Sequence, residues 1–297
     1  MIPIIAGVLS SLCLVACAGG TVEGSGRLGG GPPLAWPPPH LDHPVTIHVD
    51  SAHRELHLDG HRDYIVKLPR TPLRTRGGLV IDGGHNVLLR GGEIQIPKLP
   101  SSSSGEDRRG LLLEHQTGTA HVEGLLIRGR DLSEGIDLAQ GPDTLVQLEN
   151  IRVENVHARD TAHWSDNHPD VVQTWEGPGE LRVDRLTGTT DYQGFFLAPT
   201  QFGQDAHLFD LRHVNLTGTH PCSCILMWIA GASGVSVTDV WLLPNPLQTL
   251  SRSVWPQGDA RWKGIRLGKP RGGDFVPRSR VGLRYRSPGY VSQLPAG

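Results

Sequence analysis

The chain has 297 residues, 37% hydrophobic and 20% charged, with a formal charge of only −2. Those totals suit a folded protein with a large core and exclude both a disordered polyelectrolyte and a uniformly basic nucleic-acid binder. The 38 Gly and 23 Pro against 5 Phe, 4 Tyr and 2 Met favour many turns and short strands over long helices, so an all-β or solenoid class leads.

Residues Ile2 to Ala16 form an apolar run interrupted only by Ser10 and Ser11, too short for a comfortable membrane span, and read as an export signal. The run ends Leu14-Val15-Ala16-Cys17, followed by Ala18-Gly19-Gly20, and resembles the bacterial lipoprotein signal. The resemblance implies lipidation of Cys17 and attachment of the mature chain to a membrane. Residues 17–40, with Gly29-Gly30-Gly31-Pro32-Pro33 and Pro37-Pro38-Pro39, then read as a Gly/Pro-rich tether, placing the body in the cell envelope outside the cytoplasm.

From Val45 the chain becomes short β-rich pieces separated by Gly, Asp and Asn. Thr144-Leu145-Val146-Gln147-Leu148-Glu149-Asn150-Ile151, Gly179-Glu180-Leu181-Arg182-Val183-Asp184-Arg185-Leu186 and Leu208-Phe209-Asp210-Leu211-Arg212-His213-Val214 share one form: turn, alternating strand, polar residue, apolar residue. Aligning that last apolar residue gives Ile94, Leu125, Ile151, Leu186, Val214 and Val240, at spacings of 31, 26, 35, 28 and 26. A period near thirty with Gly or Asn at the corners predicts a coil whose equivalent strands pair in parallel.

This repeat, over about Gly77 to Pro244, resembles the right-handed parallel β-helix of the pectin-lyase-like superfamily. The fold class implied is all-β, a right-handed parallel β-helix solenoid with an irregular C-terminal cap. The expected boundaries are a signal at 1–16, the tether at 17–40, the solenoid at 41–244 and a basic cap at 245–297. In that last segment ten Lys/Arg face only Asp259 and Asp274, a surplus of eight positive charges that leaves −10 on the rest. Such an end can attract an anionic polymer or simply pack on the acidic body. The stretch Lys98 to Gly105, with four consecutive serines, reads as a loop beside the groove.

The densest chemistry lies at Asn167 to Trp175, NHPDVVQTW, preceded by Asp160, His163, Trp164 and Asp166. His168 and Asp170 are two apart and project from one strand face, with Val171 as the core residue between outward groups. Gln173 faces the other way unless a bulge or corner intervenes. Aligning Ile151 with Leu186 and counting back with a one-residue gap places Asp137 beside Gln173 and Glu134 beside Asp170, with Tyr192 and Gln193 on the next rung. A carboxylate and an imidazole can act as acid and base, and two carboxylates can cleave a glycosidic bond. Asp170 and His168, supported by Asp137 and Asp166, are therefore the candidate catalytic groups. Gln173, Trp175, Trp164, Tyr192 and His163 are the candidate sugar contacts. The alternative is that His-Pro-Asp shapes a corner through turn hydrogen bonds.

The superfamily resemblance implies an elongated carbohydrate along one sheet, and hence a polysaccharide lyase or glycoside hydrolase. The alternative is a non-catalytic surface protein that binds glycan or envelope material. The chain has no Asp-Asp pair and no Gly-His-Gly, and Arg70-Thr71-Pro72-Leu73-Arg74 only approaches a pectate-lyase phrase. Asp137, Asp166 and Asp170 supply hard oxygens that suit calcium. His220, Cys222 and Cys224 can bind zinc, bridge as a disulfide, or pack as thiols, and the buried strand text that follows favours packing. The expected partners are a polysaccharide and, through Cys17, a membrane, with no nucleic acid; the chain is expected to be a monomer.

Overall fold

In the computed structural model, residues 31–159, 169–221 and 224–290 are described. The alternation of apolar and polar residues along the short strand segments is the pattern of strands that bury one face. Among the described residues these strands form two parallel sheets, one of thirteen strands and one of eight. The eight-stranded sheet runs in chain order through Glu55–Leu58, Leu79–Gly83, Arg109–Glu114, Glu134–Ala139, Val172–Glu176, Phe195–Leu197, Met227–Ile229 and Val254–Trp255. The larger sheet contains the long strands Leu145–Val156, Glu180–Thr190 and Ala206–Gly218. The protein is thus mostly β, with successive strands passing from one sheet to the other, an arrangement compatible with a solenoid.

The repeat alignment has a direct counterpart in the register. Ile151 pairs with Leu186 and Leu186 with Val214. Ile94 pairs with Ile127 rather than standing in step with Leu125. The reason is the corner before it, where Gly91 and Gly92 both take positive φ, so the apolar residue there follows a different turn. Parallel pairing begins before Gly77, at Val45–His48, and continues past Pro244 to Ile265–Leu267.

Between the sheets, equivalent side chains stack. Ile81, Leu113, Leu138, Thr174, Leu197 and Ile229 are consecutive partners across the eight-stranded sheet, and all are fully buried. Each apolar member of such a row contributes about 1.5–3 kcal/mol through burial. Thr174 satisfies its hydroxyl by donating to the Gly177 carbonyl at 2.5 Å. Gln116 and Gln140 form a buried amide pair: Gln140 Nε2 donates to Gln116 Oε1 at 2.5 Å, Gln116 N donates to Gln140 Oε1 at 3.1 Å, and Gln116 Nε2 donates to the Ile81 carbonyl at 2.9 Å.

The outer face of the larger sheet is covered by the first and last described segments, which meet where Leu34 pairs in parallel with Tyr290. Beneath them Glu123, Glu149 and Asp184 occupy neighbouring rungs. Ala35 N and Trp36 N donate to Glu149 at 2.6 and 3.2 Å, while Tyr285 Oη donates to Glu123 at 2.8 Å. Burial pushes the Glu149 carboxyl up to about 8, against those two amide donors. Tyr285 is raised for the same first reason, burial, reinforced by Glu123. The basic C-terminal segment therefore packs partly on acidic groups of the body: Ser287 Oγ donates to Glu123 at 2.9 Å and Arg278 lies 3.7 Å from Glu154, while the segment's own Asp274 pairs with Arg152 of the body at 2.8 Å.

Candidate active site on the outer face of the eight-stranded sheet

Register assembles this face from well-separated parts of the chain. Arg109 stands opposite Glu134, and Leu112 opposite Asp137. Asp137 is opposite Gln173, Gln173 opposite Phe196, Phe196 opposite Trp228, and Trp228 opposite Trp255. Glu134 and Asp170 meet because Gly135 N donates to the Asp170 carbonyl at 2.8 Å and Ile136 N to the Val171 carbonyl at 3.1 Å.

A corner determines which side chains face outward. Val171 and Val172 are consecutive, yet both lie in the core at 0% exposure, so strict two-residue alternation is broken between Asp170 and Gln173. Gln173 thereby returns to the outer face. The corner needs glycine on the neighbouring rungs: a Cβ on Gly135 would meet the Val171 carbonyl oxygen at 2.4 Å and Val153 Cγ1 at 2.7 Å. One on Gly110 would meet Ile127 Cγ2 at 2.5 Å.

Around this corner Arg109 gathers two carboxylates. Its Nε donates to Glu134 Oε2 at 3.2 Å and also to Asp137 Oδ2, and its guanidinium lies 5.5 Å from the Trp175 ring centroid. Asp137 and Asp170 are each 0% exposed. Asp137 Oδ1 has no hydrogen-bond partner among the described residues. Burial, followed by the negative charge of Glu134, holds both Asp137 and Asp170 well above the ordinary carboxylate range; for Asp137 the nearby Arg109 opposes this without reversing it. Burial alone would lower the Arg109 guanidinium, but Asp137 and Glu134 raise it, so it stays a fixed cation.

A cleft of about 490 Å³ opens beside this cluster, lined by Arg54, Glu55, Glu114, Arg109 and Trp175 among others. Glu106 and Asp107, which follow the serine-rich stretch, form part of its wall. The neighbouring Arg108 is buried, donating to the Asp131 and His157 carbonyls at 3.1 and 2.6 Å, and burial pushes its guanidinium down to about 10. His57, which lines the cleft, and His115 each bond Asp82 at 2.9 Å through Nδ1. Against the upward pull of burial, those two imidazoles hold Asp82 below its usual value, and the Asp82 hydrogen bond in turn raises His115.

Of the residues singled out from the sequence, Asp137, Asp170, Gln173 and Trp175 come together here. The expectation that Asp170 projects openly outward is corrected: it is on the outer side of the corner but fully buried. For Gln173 the corner that the sequence left open does intervene, marked by the two consecutive core valines. Tyr192 is half-buried, its backbone N donating to Thr190 Oγ1 at 3.0 Å, one residue before Gln193, whose N donates to the Pro169 carbonyl at 3.3 Å. His163, Trp164, Asp166, His168 and Cys17 lie outside the described residues.

For calcium, Arg109 already occupies the position a cation would take between Glu134 and Asp137, and Asp166 lies outside the described residues. Among the described residues no three His, Cys, Asp or Glu side chains group to hold a metal. Cys224 is disulfide-bonded, which corrects the preference for packed thiols. It stands in the loop before the strand Met227–Ile229, free of the strand geometry that would strain a bridge.

Arg109, Phe196, Trp228 and Trp255 escaped the sequence reading. A signal was present in the last three: they are 32 and 27 residues apart, close to the repeat, and each follows a core apolar residue by one position. No protein-family model matches the chain, and comparisons with curated proteins and with solved structures likewise find no match.

Proposed function

We propose that the two sheets form a right-handed parallel β-helix displayed outside the cytoplasm, and that the outer face of the eight-stranded sheet hydrolyses a polysaccharide. The observation that carries this reading is a carboxyl cluster of Glu134, Asp137 and Asp170: Arg109 pairs with Glu134 and Asp137, Asp170 lies beside Glu134 with burial raising its carboxyl well above the ordinary range, and a cleft walled by Trp175 opens next to them. Glycoside hydrolysis needs this division, a carboxylic acid that keeps its proton near neutral pH and a carboxylate that does not.

In this reading a sugar unit stacks on Trp175 and displaces Arg109 from the mouth of the cluster. Asp170 gives its proton to the glycosidic oxygen as the bond to the anomeric carbon breaks. Glu134 accepts a proton from the water that attacks that carbon, so one fragment gains a hydroxyl from the leaving oxygen and the other from water. Asp137 holds Arg109, and through it the orientation of Glu134, and is a positioning residue. Gln173 offers an amide to a sugar hydroxyl. A lyase reading has less support, because elimination needs a base that accepts a carbon-bound proton, and Arg109 is held as a cation by its two carboxylates.

One observation favours the binding-only alternative: Asp137 and Asp170 are wholly buried. The two readings separate when the purified protein is incubated with neutral and acidic polysaccharides. New reducing ends without unsaturated products support hydrolysis; tight binding with no new ends supports a binding protein. The lipid anchor is tested by Cys17→Ser, which is expected to move the protein from the membrane fraction to the soluble one, and unchanged partitioning removes that part of the proposal.

A further inference from the structure

Phe196, Trp228 and Trp255 stand on successive strands in one register row, continuing the line that begins with Asp137 and Gln173. They are outside the core, since the residues beside them, Phe195, Met227 and Val254, are the ones buried at 0–1%. Phe196 and Trp228 are half-buried and Trp255 is 41% exposed. Their rings form a continuous series, with centroids 5.4 Å apart from Phe196 to Trp228 and 5.3 Å from Trp228 to Trp255. A further ring belongs to the same edge: Phe202 is 72% exposed, and its backbone N is fixed to the Trp175 carbonyl at 2.9 Å. Water-facing aromatic surface of this extent, in one row, marks a binding surface rather than ordinary surface scatter.

From Gln173 to Trp255 the row crosses three strand spacings, about 14 Å at roughly 4.8 Å each. It carries no charged side chain. The cleft on the other side of the acid cluster is acidic, with Glu55, Glu106, Asp107 and Glu114 against Arg54 and Arg109. An uncharged aromatic track leading from an acidic centre does not suit a polyuronate, whose carboxylates would find no cation along the row and repulsion in the cleft. It suits sugar rings with equatorial hydroxyls, which turn an apolar C–H face to an aromatic surface. The row also starts beside Gln173, on the fifth strand of the sheet, while the cleft reaches back to the first. Chain can therefore lie on both sides of the carboxylates.

Resting on the hydrolytic reading above, we propose that Phe196, Trp228 and Trp255 form a stacking track for a neutral, equatorially hydroxylated polysaccharide, which is cleaved internally rather than from its end. Each ring adds a share of the affinity for long chains and none for a fragment that spans only the acid cluster.

The test uses the purified full chain, Trp255→Ala, Trp228→Phe and the double variant Phe196→Ala/Trp255→Ala, with β-glucan oligosaccharides of increasing length and polygalacturonate as probes. Trp255 is exposed enough to truncate without unfolding, and Trp228→Phe keeps an aromatic in place. Binding to long glucan oligosaccharides is expected to weaken roughly tenfold in Trp255→Ala and further in the double variant, the equivalent of about 1.4 kcal/mol per decade, while binding of the shortest fragments stays the same. Products from the wild type are expected to be of intermediate length from the start. Equal affinity of wild type and variants for every length overturns the track, as does preference for polygalacturonate. Self-association lost in Trp255→Ala with glycan binding intact also overturns it, assigning the row to a second copy of the chain. Length-dependent binding through the row with no new reducing ends sinks the hydrolytic reading alone. Cleavage that is indifferent to all three variants sinks the track alone.

Discussion

Replacing Asp170 by Asn should strengthen the fold at neutral pH while removing the chemistry. The wild-type carboxyl has an ordinary value near 3.8, and burial followed by the Glu134 charge raises it well above that in the folded state. Once the pH exceeds about 4, the unfolded chain loses this proton and the folded chain keeps it, so rising pH favours unfolding. Each pH unit between the unfolded and folded values costs the native state about 1.4 kcal/mol for one such group. Asp137, raised in the same direction, adds its own share over its own window. Asn has the same shape and stays neutral at every pH, so the variant lacks the Asp170 contribution to that slope. Urea denaturation at half-unit steps from pH 4 to 7 measures this through the midpoint, provided the m-value is unchanged. The expected result is a shallower fall in stability with pH for Asp170→Asn, with equal or greater stability at pH 7. Parallel slopes for the two proteins, or a variant that is less stable than the wild type at pH 7, would refute a protonated buried Asp170.

Three further outcomes follow from the same geometry. Arg109→Met leaves Glu134 and Asp137 buried without their shared cation and should cost roughly 3–5 kcal/mol near neutral pH, shrinking in acid as the carboxylates protonate, as read by denaturation at pH 7 and pH 5. Gly135→Ala drives a methyl into the Val171 carbonyl and Val153, and a loss of about 1–3 kcal/mol is expected in thermal unfolding, whereas no change would mean that the corner relaxes freely. For Glu149, the folded value of about 8 lies above the ordinary 4.5, so its contribution is fully present below the lower value and lost as pH rises through the higher one. Wild type should therefore expose the segment around Ala35 and Trp36 to proteolysis increasingly as pH rises from about 4.5 to about 8 and then level off, and Glu149→Gln should flatten that dependence.

The long-range pairing was legible wherever a polar residue and then an apolar one closed a strand, because that phrase marks the same corner on each rung. It placed Ile151, Leu186 and Val214 in register and put Asp137 beside Gln173 and Glu134 beside Asp170. It slipped by two residues at Ile94, where paired glycines turn the chain differently. The double inward step at Val171 and Val172 was hidden, since two adjacent apolar residues look the same whether they alternate or round a corner. Arg109 was hidden for another reason. Its partners are 25 and 28 residues away, and an arginine one position before a glycine carries no local mark of an ion pair. The cover over Glu149 depends on contacts across 113 and 114 residues, between a segment read as tether and the middle of the body, and no periodicity reaches that far.

The most direct test of the account is product analysis with wild type and Asp170→Asn on the glucan oligosaccharides and on polygalacturonate, at matched folded concentration. The account predicts new reducing ends, without unsaturated products, from a neutral glucan with the wild type, and at least a hundredfold slower release, roughly the lower range for losing a general acid, with Asp170→Asn. Equal rates for the two proteins, or unsaturated products from polygalacturonate, would contradict it.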